Sequence, residues 1–549
     1  MQPDNTHRKR IGILVVHGVG EQACFDFLED VATNLYLALS EEPGRKPHVQ
    51  IRRGDQVPVH SPSESWREAP AIVSWWSPVS QRWLEAHFRE VHWADLDMPA
   101  TFRNWLDLVG WALGMSGVRL FSHSDVWAGR QPFMRLPRGL TWRELITVRM
   151  QLFGLSLLFL YMVTSMGLLY FLLTRFSSQA RWFKLVLGVI YDYLGDVKLY
   201  QDWFLRTDYL EAIGERSRVS IRRRMVRALL RMAADVEAEG PSKKLDEYYI
   251  LSHSLGTVVA FNALMELDVT LPNYLTREEW DELPGALKTR LLDRAAPPKE
   301  QPRRPPWLDR QDAINRTRLF AGLRGFVTLG SPLDKFAALW RIIVPINNDP
   351  IPGRVPWVNV ADCQDIVASS LDLFAQGPDV GGLSLHNVEW ADQPTLVTAH
   401  TSYWKAGRRQ DRFINRFIAW LERSDEKREE HMADPENCCP RWLPKGPCVR
   451  LAKGFYAMSL AALSGAALVA TTVIIWASLE YLFHKPVSWF PLVSWWSSVL
   501  PHEFESWPGA LLLLSVFGLG VIVVAVFSIA RYVVEMLTIN PIKRDVAGP

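Results

Sequence analysis

Residues 248–265, YYILSHSLGTVVAFNALM, decide the fold that this sequence specifies. The stretch begins as a short apolar run of strand length and continues after Gly256 as an apolar run with a different spacing, which is typical of a helix. Ser-x-Ser-x-Gly lies between the two runs. It predicts a tight turn, because the residue two positions before Ser254 and the residue two positions after it are both small. Such a turn presents Ser254 as a nucleophile, whereas capping of the helix by the same side chain is the structural alternative.

Ser252 occupies the position at which this type of turn usually has glycine, and serine is still a small residue. In this arrangement the nucleophile projects from the end of the strand, and the first amides of the following helix point toward the site. His253 lies between the two serines and is expected, with Ser252 and Gly256, to support the site. A serine hydroxyl group in this role also needs a base and an oxyanion-binding group.

The stretch ILVVHGVGEQ at residues 13–22 is the candidate for the oxyanion-binding group. The backbone N–H groups of Gly18 or Val19, beside that of Leu255, could bind a developing oxyanion, since glycine allows a close approach. His17 is expected to orient this loop, and an ordinary glycine turn is the alternative. The basic residues before the stretch imitate a signal peptide, but no small-residue cleavage site follows, so a first strand is predicted.

The histidines that follow Ser254 and could act as its base are His386, His400 and His431. His400 is favoured because TAHTSYW is predicted to be a polar loop before an amphipathic helix at 411–422. His386 stands in LSLHNVEW, which favours a strand, and His431 stands in the charged run SDEKREEHM.

An acid would hold the histidine in the correct tautomer and stabilise its cation. The stretch PWVNVADCQDIVA at 356–368 predicts a strand followed by two aspartates, of which Asp365 is favoured and Asp362 is the alternative. Asp334, which follows the preceding predicted strand, is a third candidate.

The remaining polar parts of the chain alternate between predicted strands and helices. Short apolar runs predict buried strands at 11–16, 71–75, 248–252, 325–329 and 356–360, and the clearest helix is predicted at 217–237. Strands separated by helices imply an α/β fold with a mainly parallel sheet covered by helices. The charged, proline-containing stretch 276–318 is expected to be an exposed excursion, either a cap over a site or a solvated loop.

Five motifs together resemble the α/β-hydrolase superfamily, most closely bacterial membrane-associated lipase/esterase-like serine hydrolases. They are VVHGVGEQ, ILSHSLGTVVAFNAL, FVTLGSPLDKF, WVNVADCQDIVA and HTSYW, and LGDVKLY at 194–200 is similar as well. The resemblance covers 11–30 and 190–425 discontinuously. It implies a triad of Ser254, Asp365 and His400, in the chain order of that fold, and an oxyanion hole at Gly18, Val19 and Leu255. Related sequences often have Asp-Pro where this chain has Asp365-Ile366.

Three segments are long and charge-free enough to cross a bilayer, namely 151–174, 454–479 and 508–530. Basic residues precede the second segment and follow the third, whereas the loop 480–507 between them has one lysine. The positive-inside rule therefore places this loop outside and residues 180–450 in the cytoplasm.

The first of these segments, 151–174, needs a second crossing segment before residue 248. The strands at 11–16 and 248–252 are expected to share one sheet, so the number of crossings between them must be even. The candidate partners of 151–174 are 104–118 and 182–195, and entry into the membrane without crossing is the alternative.

These features predict four parts of the chain. They are residues 1–103, the first part of the α/β-hydrolase domain; 104–196, a membrane-associated insertion; 197–430, the remainder of that domain; and 431–549, a C-terminal membrane region. The formal net charge of +2 argues against a nucleic-acid-binding surface over the whole protein. Five cysteines form no disulfide framework, and no metal or nucleotide motif is present, so neither a metal nor another cofactor is expected.

The sequence therefore predicts a multi-pass membrane protein of the bacterial inner membrane with a cytoplasmic serine hydrolase domain. Its expected partners are membrane lipids, and its expected substrate is a lipid or another acyl ester. A thioesterase acting on acylated proteins is one alternative. A membrane scaffold or sensor that keeps a hydrolase fold without catalysis is the other.

Overall fold

In the computed structural model, the residues described are 8–19, 24–42, 44–51, 71–94, 197, 200, 218–237, 244–281, 283, 288, 304–309, 312–339, 344, 351, 355–362, 365, 367–368, 371, 374, 382–390, 396–405 and 413–423. The chain divides into two compact units, residues 1–97 with 199–444 and residues 98–198 with 445–549. Every strand and helix named below belongs to the first unit.

The membrane segments predicted at 151–174, 454–479 and 508–530 lie outside the described residues, as do 104–118 and 182–195. Among the helices that the structure does describe, none combines the length and the apolar composition that a bilayer crossing needs.

The described strands form one eight-stranded sheet. They are β1 (Arg8–Val16), β2 (His48–Ile51), β3 (Ala71–Ser77), β4 (Arg82–Val91), β5 (Glu247–His253), β6 (Leu323–Leu329), β7 (Val355–Asp362) and β8 (Leu383–Trp390). Their order across the sheet is β2-β3-β4-β1-β5-β6-β7-β8. Neighbours from β4 through β8 are parallel, whereas β3 is antiparallel to both β2 and β4. The predicted α/β class with a mainly parallel sheet is confirmed.

The two strands expected to share a sheet, β1 and β5, are direct neighbours in it. They pair in parallel, and the last pair in the register is Val16 with Ser252. The carboxyl ends of the two strands are therefore level, so the loop at His17 and the turn at Ser254 begin at the same edge of the sheet.

Helices cover both faces of the sheet. They are α1 (Asp26–Ser40), α2 (Arg218–Val236), α3 (Leu255–Leu264), α4 (Arg277–Asp281), α5 (Arg316–Leu319), α6 (Leu333–Leu339), α7 (Leu396–Thr401) and α8 (Phe413–Glu422). The Tyr249 ring packs on Trp420 of α8, with ring centroids 5.3 Å apart. On β1, Gly12 lies against Tyr248 and Met232 of α2. Because successive strand residues point to opposite faces, α8 and α2 lie on opposite sides of the sheet.

Strand β4 is not a continuous apolar run, and the sequence therefore did not predict it from its hydrophobic residues. Leu84, Ala86 and Phe88 are buried, whereas the residues between them are partly exposed. Those residues take part in ion pairs, such as Arg89 with Asp235 at 2.6 Å. Alternation of apolar and charged residues is typical of a strand with one buried face, and this pattern in the sequence indicates β4.

The stretch 276–318, expected to be an exposed excursion, is partly buried where the structure describes it. Leu308 and Ile314 are buried, and the amide of Ile314 donates a hydrogen bond to the carbonyl of Asp268 at 3.0 Å. Arg304 donates hydrogen bonds to the carbonyls of Val269 and Asp312. The described parts of the stretch are thus fastened to the segment that follows α3.

Candidate active site

Ser254 lies at the turn between β5 and α3 in a backbone conformation that residues other than glycine rarely adopt. Its φ is 51° and its ψ is −131°, outside the regions allowed to most residues. Its amide donates a hydrogen bond to the carbonyl of Leu329 at 3.0 Å, which holds the turn against the end of β6. The side chain makes no capping hydrogen bond to α3, and among the described residues the buried Oγ has no hydrogen-bond partner. This geometry does not fit a capping serine.

The small residues around Ser254 let the turn pack directly against β1. A methyl group on Gly256 would lie 2.2 Å from the carbonyl oxygen of His17, so only a hydrogen atom fits there. Ser252 is fully buried, and its hydroxyl group donates to the carbonyl of Val327 at 2.8 Å. Serine is therefore tolerated at a position where glycine is usual, because its hydroxyl group is satisfied by the neighbouring strand.

Thr257 fastens the start of α3, and the sequence analysis did not identify it. Its hydroxyl group donates to the carbonyl of Ser254 at 2.7 Å and lies 2.8 Å from the hydroxyl oxygen of Ser331. Ser331 belongs to the loop after β6. The two contacts connect the turn at Ser254 to the neighbouring loop at the same edge of the sheet.

The loop after β1 lies directly against Ser254. A methyl group on Gly18 would be 2.5 Å from Cβ and 3.2 Å from Oγ of Ser254. The backbone at Gly18 therefore passes close to the serine. Leu255 begins α3, and the first N–H groups of a helix have no partner within the helix.

His17 connects this loop to the chain after β4. Its Nε2 accepts a hydrogen bond from the amide of Trp93 at 2.9 Å, so the ring proton is on Nδ1. Nδ1 then donates to the carbonyl of Gly18 at 2.8 Å. The ring is fully buried and stacks on the indole ring of Trp93, with centroids 4.9 Å apart.

His400 and Asp365 form a hydrogen-bonded pair at the same edge of the sheet. The distance from His400 Nδ1 to Asp365 Oδ2 is 2.8 Å, and the Asp365 carboxylate is buried. Burial acts to raise the pKa of Asp365, but the hydrogen bonds from His400, Tyr403 and the Val367 amide outweigh it, so the pKa lies below its usual value. An ionised carboxylate only accepts hydrogen bonds, so Nδ1 of His400 carries the proton that it donates, and in the neutral imidazole this leaves the lone pair on Nε2.

Nε2 of His400 is buried and, within the described part of the chain, has no hydrogen-bond partner. His400 lies in the short helix α7 and not in the loop that the sequence predicted, because residues 396–401 close one helical turn. A methyl group on Gly330, whose φ is +61°, would lie 3.1 Å from both His400 Nδ1 and Asp365 Oδ2. Gly330 follows Leu329, which binds the amide of Ser254, and so links the pair to the serine turn.

The other candidates for the acid and for the base lie elsewhere in the fold. Asp362 is the last residue of β7, and Asp334 lies in the first turn of α6. His386 is within β8, as its sequence predicted, and pairs with Val358 of β7. His431 lies outside the described residues.

His253 supports the pair from the side of β5. Its Nε2 is 2.7 Å from the carbonyl oxygen of His400 and must donate to it, because a carbonyl group only accepts. Burial lowers the pKa of His253 to about 3, and the nearby His400 acts in the same direction. The ring is thus neutral at physiological pH. It packs between His400 and the indole ring of Trp404, with centroid distances of 4.7 and 4.9 Å.

The described residues thus gather a serine, a histidine and an acid at the carboxyl ends of β5, β8 and β7. The serine stands at a turn with positive φ, and a glycine loop passes beside it. The histidine has one nitrogen bound to the acid, and the other has no hydrogen-bond partner among the described residues. No protein-family model, curated protein or solved structure matches the chain. Among the described residues, no group of histidine, cysteine and acidic side chains has the arrangement of a metal site.

Proposed function

We propose that this protein is a serine hydrolase of the α/β-hydrolase type that cleaves carboxylic esters through an acyl-enzyme. The observation that carries the proposal is the hydrogen-bonded pair of His400 and Asp365 at the edge of the sheet where Ser254 stands in a turn with positive φ. The chain order of the three residues, nucleophile after β5, acid after β7 and histidine after β8, supports the same proposal. Ser254 Oγ and His400 Nε2, which have no hydrogen-bond partner among the described residues, are the two atoms that would exchange a proton during the reaction.

In the proposed reaction Ser254 Oγ attacks the ester carbonyl carbon while Nε2 of His400 takes the hydroxyl proton. The new C–O bond places negative charge on the former carbonyl oxygen, which the amides of Leu255 and of Gly18 or Val19 would bind. The bond to the alcohol then breaks, and His400 returns the proton to the departing oxygen. Water repeats the sequence on the acyl-enzyme, which releases the carboxylic acid and restores Ser254. Asp365 stays ionised and holds the imidazolium.

The proposed substrate is a lipid ester, and the proposed location is a membrane. The support is the apolar composition of 151–174, 454–479 and 508–530. Since β1 and β5 are neighbours in one sheet, any crossings between them must be even in number. The positive-inside rule places the hydrolase domain in the cytoplasm, facing the inner leaflet.

Labelling of the full-length protein with a fluorophosphonate probe tests the proposal, because the probe reacts covalently with activated serines. We expect rapid labelling of the natural sequence, none of Ser254→Ala, and normal labelling of Ser77→Ala. Ser77, the last residue of β3, is a matched control because it is equally buried and its hydroxyl group accepts a hydrogen bond from the Ser80 amide. A folded natural protein that does not react would refute the enzyme proposal and favour a scaffold or sensor.

The acid is tested by a second matched pair. We expect Asp365→Asn to lower the labelling rate by about 10²-fold or more, since the wrong tautomer of His400 would then be favoured. Asp362→Asn changes a neighbouring buried aspartate and should have a much smaller effect. If Asp362→Asn lowers the labelling rate more than Asp365→Asn does, Asp362 and not Asp365 is the acid.

A further inference from the structure

The hydroxyl group of Tyr403 contacts the same carboxylate oxygen that binds the histidine. It donates a hydrogen bond to Asp365 Oδ2 at 2.7 Å, and that oxygen is also the partner of His400 Nδ1. The other carboxylate oxygen, Oδ1, accepts from the amide of Val367 at 2.8 Å. The carboxylate is therefore fixed by three donors, which are His400 of α7, Tyr403 two residues beyond α7, and the Val367 amide in the loop of the acid itself.

Tyr403 is itself fixed in the direction of its proton. The amide of Asp362 donates to the tyrosine oxygen at 3.0 Å, which leaves the hydroxyl proton to point at Asp365. Burial, followed by the charge of Asp365, raises the pKa of Tyr403 well above its usual value, so the group remains a donor. A chain of donors thus runs from the Asp362 amide through Tyr403 to Asp365, and each donor polarises the next.

Resting on the proposed function, we propose that Tyr403 is a positioning residue of the active site, which fixes the Asp365 carboxylate toward His400 and takes up part of its negative charge. The hydroxyl group contacts Asp365 and the amide of Asp362. It acts through Asp365, whose Oδ2 has to divide its interaction between the phenol and the imidazole.

This role predicts the direction in which the basicity of His400 changes. Without the phenol, more negative charge on Oδ2 faces His400, and the imidazolium form is stabilised more strongly. His400 then holds its proton to higher pH, so the acidic limb of the pH–rate profile moves upward. The carboxylate also loses one of the groups that orient it, and misplacement in an active site lowers the rate steeply.

The test measures the second-order rate constant of fluorophosphonate labelling against pH in the full-length protein. For Tyr403→Phe we expect a rate about tenfold or more below that of the natural sequence at neutral pH, and an acidic limb at higher pH. Tyr248→Phe is the matched control, since the Tyr248 hydroxyl group is equally buried and donates to the Leu319 carbonyl at 3.1 Å. It should lose similar thermal stability and keep the natural rate and profile.

A second variant answers the objection that Tyr403→Phe merely loosens the fold. Replacement of Tyr403 by 3-fluorotyrosine keeps the ring and its acceptor for the Asp362 amide but makes the hydroxyl group a stronger donor. The acidic limb should then move in the opposite direction, to lower pH. An unchanged limb in both variants, with the natural protein labelled normally, would overturn the role of Tyr403 alone. Failure of the natural protein to react would instead overturn the proposed function on which the inference rests.

Discussion

Substitution of Ser254 separates a strained nucleophile from a structural capping residue, because the two roles predict stability changes of opposite sign. As a nucleophile, the buried Oγ has no partner among the described residues, and an unpartnered polar group costs about 1–3 kcal/mol. Ser254→Ala removes that cost and should stabilise the fold by an amount in this range. As a helix cap, the same substitution would destabilise it by about 0.5–2 kcal/mol.

Ser254→Gly adds a second contribution. A residue held at φ 51° and ψ −131° stores about 1–3 kcal/mol of backbone strain that glycine does not have. Glycine loses about 0.5–1 kcal/mol through the greater freedom of its unfolded chain. We therefore expect Ser254→Gly to be more stable than Ser254→Ala by about 0.5–2 kcal/mol, with both above the natural protein.

Thermal unfolding of the full-length protein, followed by tryptophan fluorescence, measures the order. Each kcal/mol should move the midpoint by about 2 °C for a domain of this size. Asn315→Ala is the matched control, because the Asn315 side chain accepts a hydrogen bond from the Arg318 amide and does cap α5. It should lower the midpoint. The nucleophile argument fails if Ser254→Ala lowers the midpoint as Asn315→Ala does, or if Ser254→Gly is no more stable than Ser254→Ala.

Two further predictions concern the residues around the histidine. The pKa of His253 is about 3 in the folded protein against about 6.5 unfolded, so its contribution to stability is complete above pH 6.5 and is lost as the pH falls toward 3. Between pH 6.5 and pH 5 the free energy of unfolding of the natural protein should fall by about 2 kcal/mol more than that of His253→Gln. Denaturant unfolding at both pH values measures this difference, and equal falls in the two proteins would contradict a buried neutral ring. Gly330→Ala should slow fluorophosphonate labelling about 10²-fold, since its methyl group would displace the pair of Asp365 and His400. Gly382→Ala, also at positive φ but placed before β8, should lose similar stability and label normally, and slow labelling of both variants would point to general misfolding.

The central part of the fold was predictable because its strands are continuous apolar runs. The runs at 11–16, 248–252 and 325–329 lie within β1, β5 and β6, which are covered on both faces and admit few polar residues. Strands β2 and β4 were missed because β2 has four residues and β4 alternates apolar with charged side chains. The alternation of buried and partly exposed residues indicates β4, whereas no comparable local pattern indicates β2.

The candidate site was predictable to the extent that its residues follow strands in a fixed order. Ser254, Asp365 and His400 each follow a strand whose carboxyl end lies at one edge of the sheet. The role proposed for Tyr403 was not predictable, because its hydroxyl group reaches a residue 38 positions earlier in the chain. The hydrogen bond from His253 to the carbonyl of His400 spans 147 positions and has no local signature either.

The pairing of β1 with β5 has a consequence for the synthesis of the protein. Strands β2, β3, β4 and β1 come from the first 91 residues and can assemble as half a sheet, whereas β5 begins only at Glu247. At about 5–20 residues per second, the ribosome needs roughly 8 to 30 seconds to make the intervening chain. During that time one edge of β1 is unpaired, because Ile11, Ile13 and Val15 lie opposite residues of β5 that have not yet been made. This edge of the nascent chain is therefore open to pairing with other chains until β5 has been made.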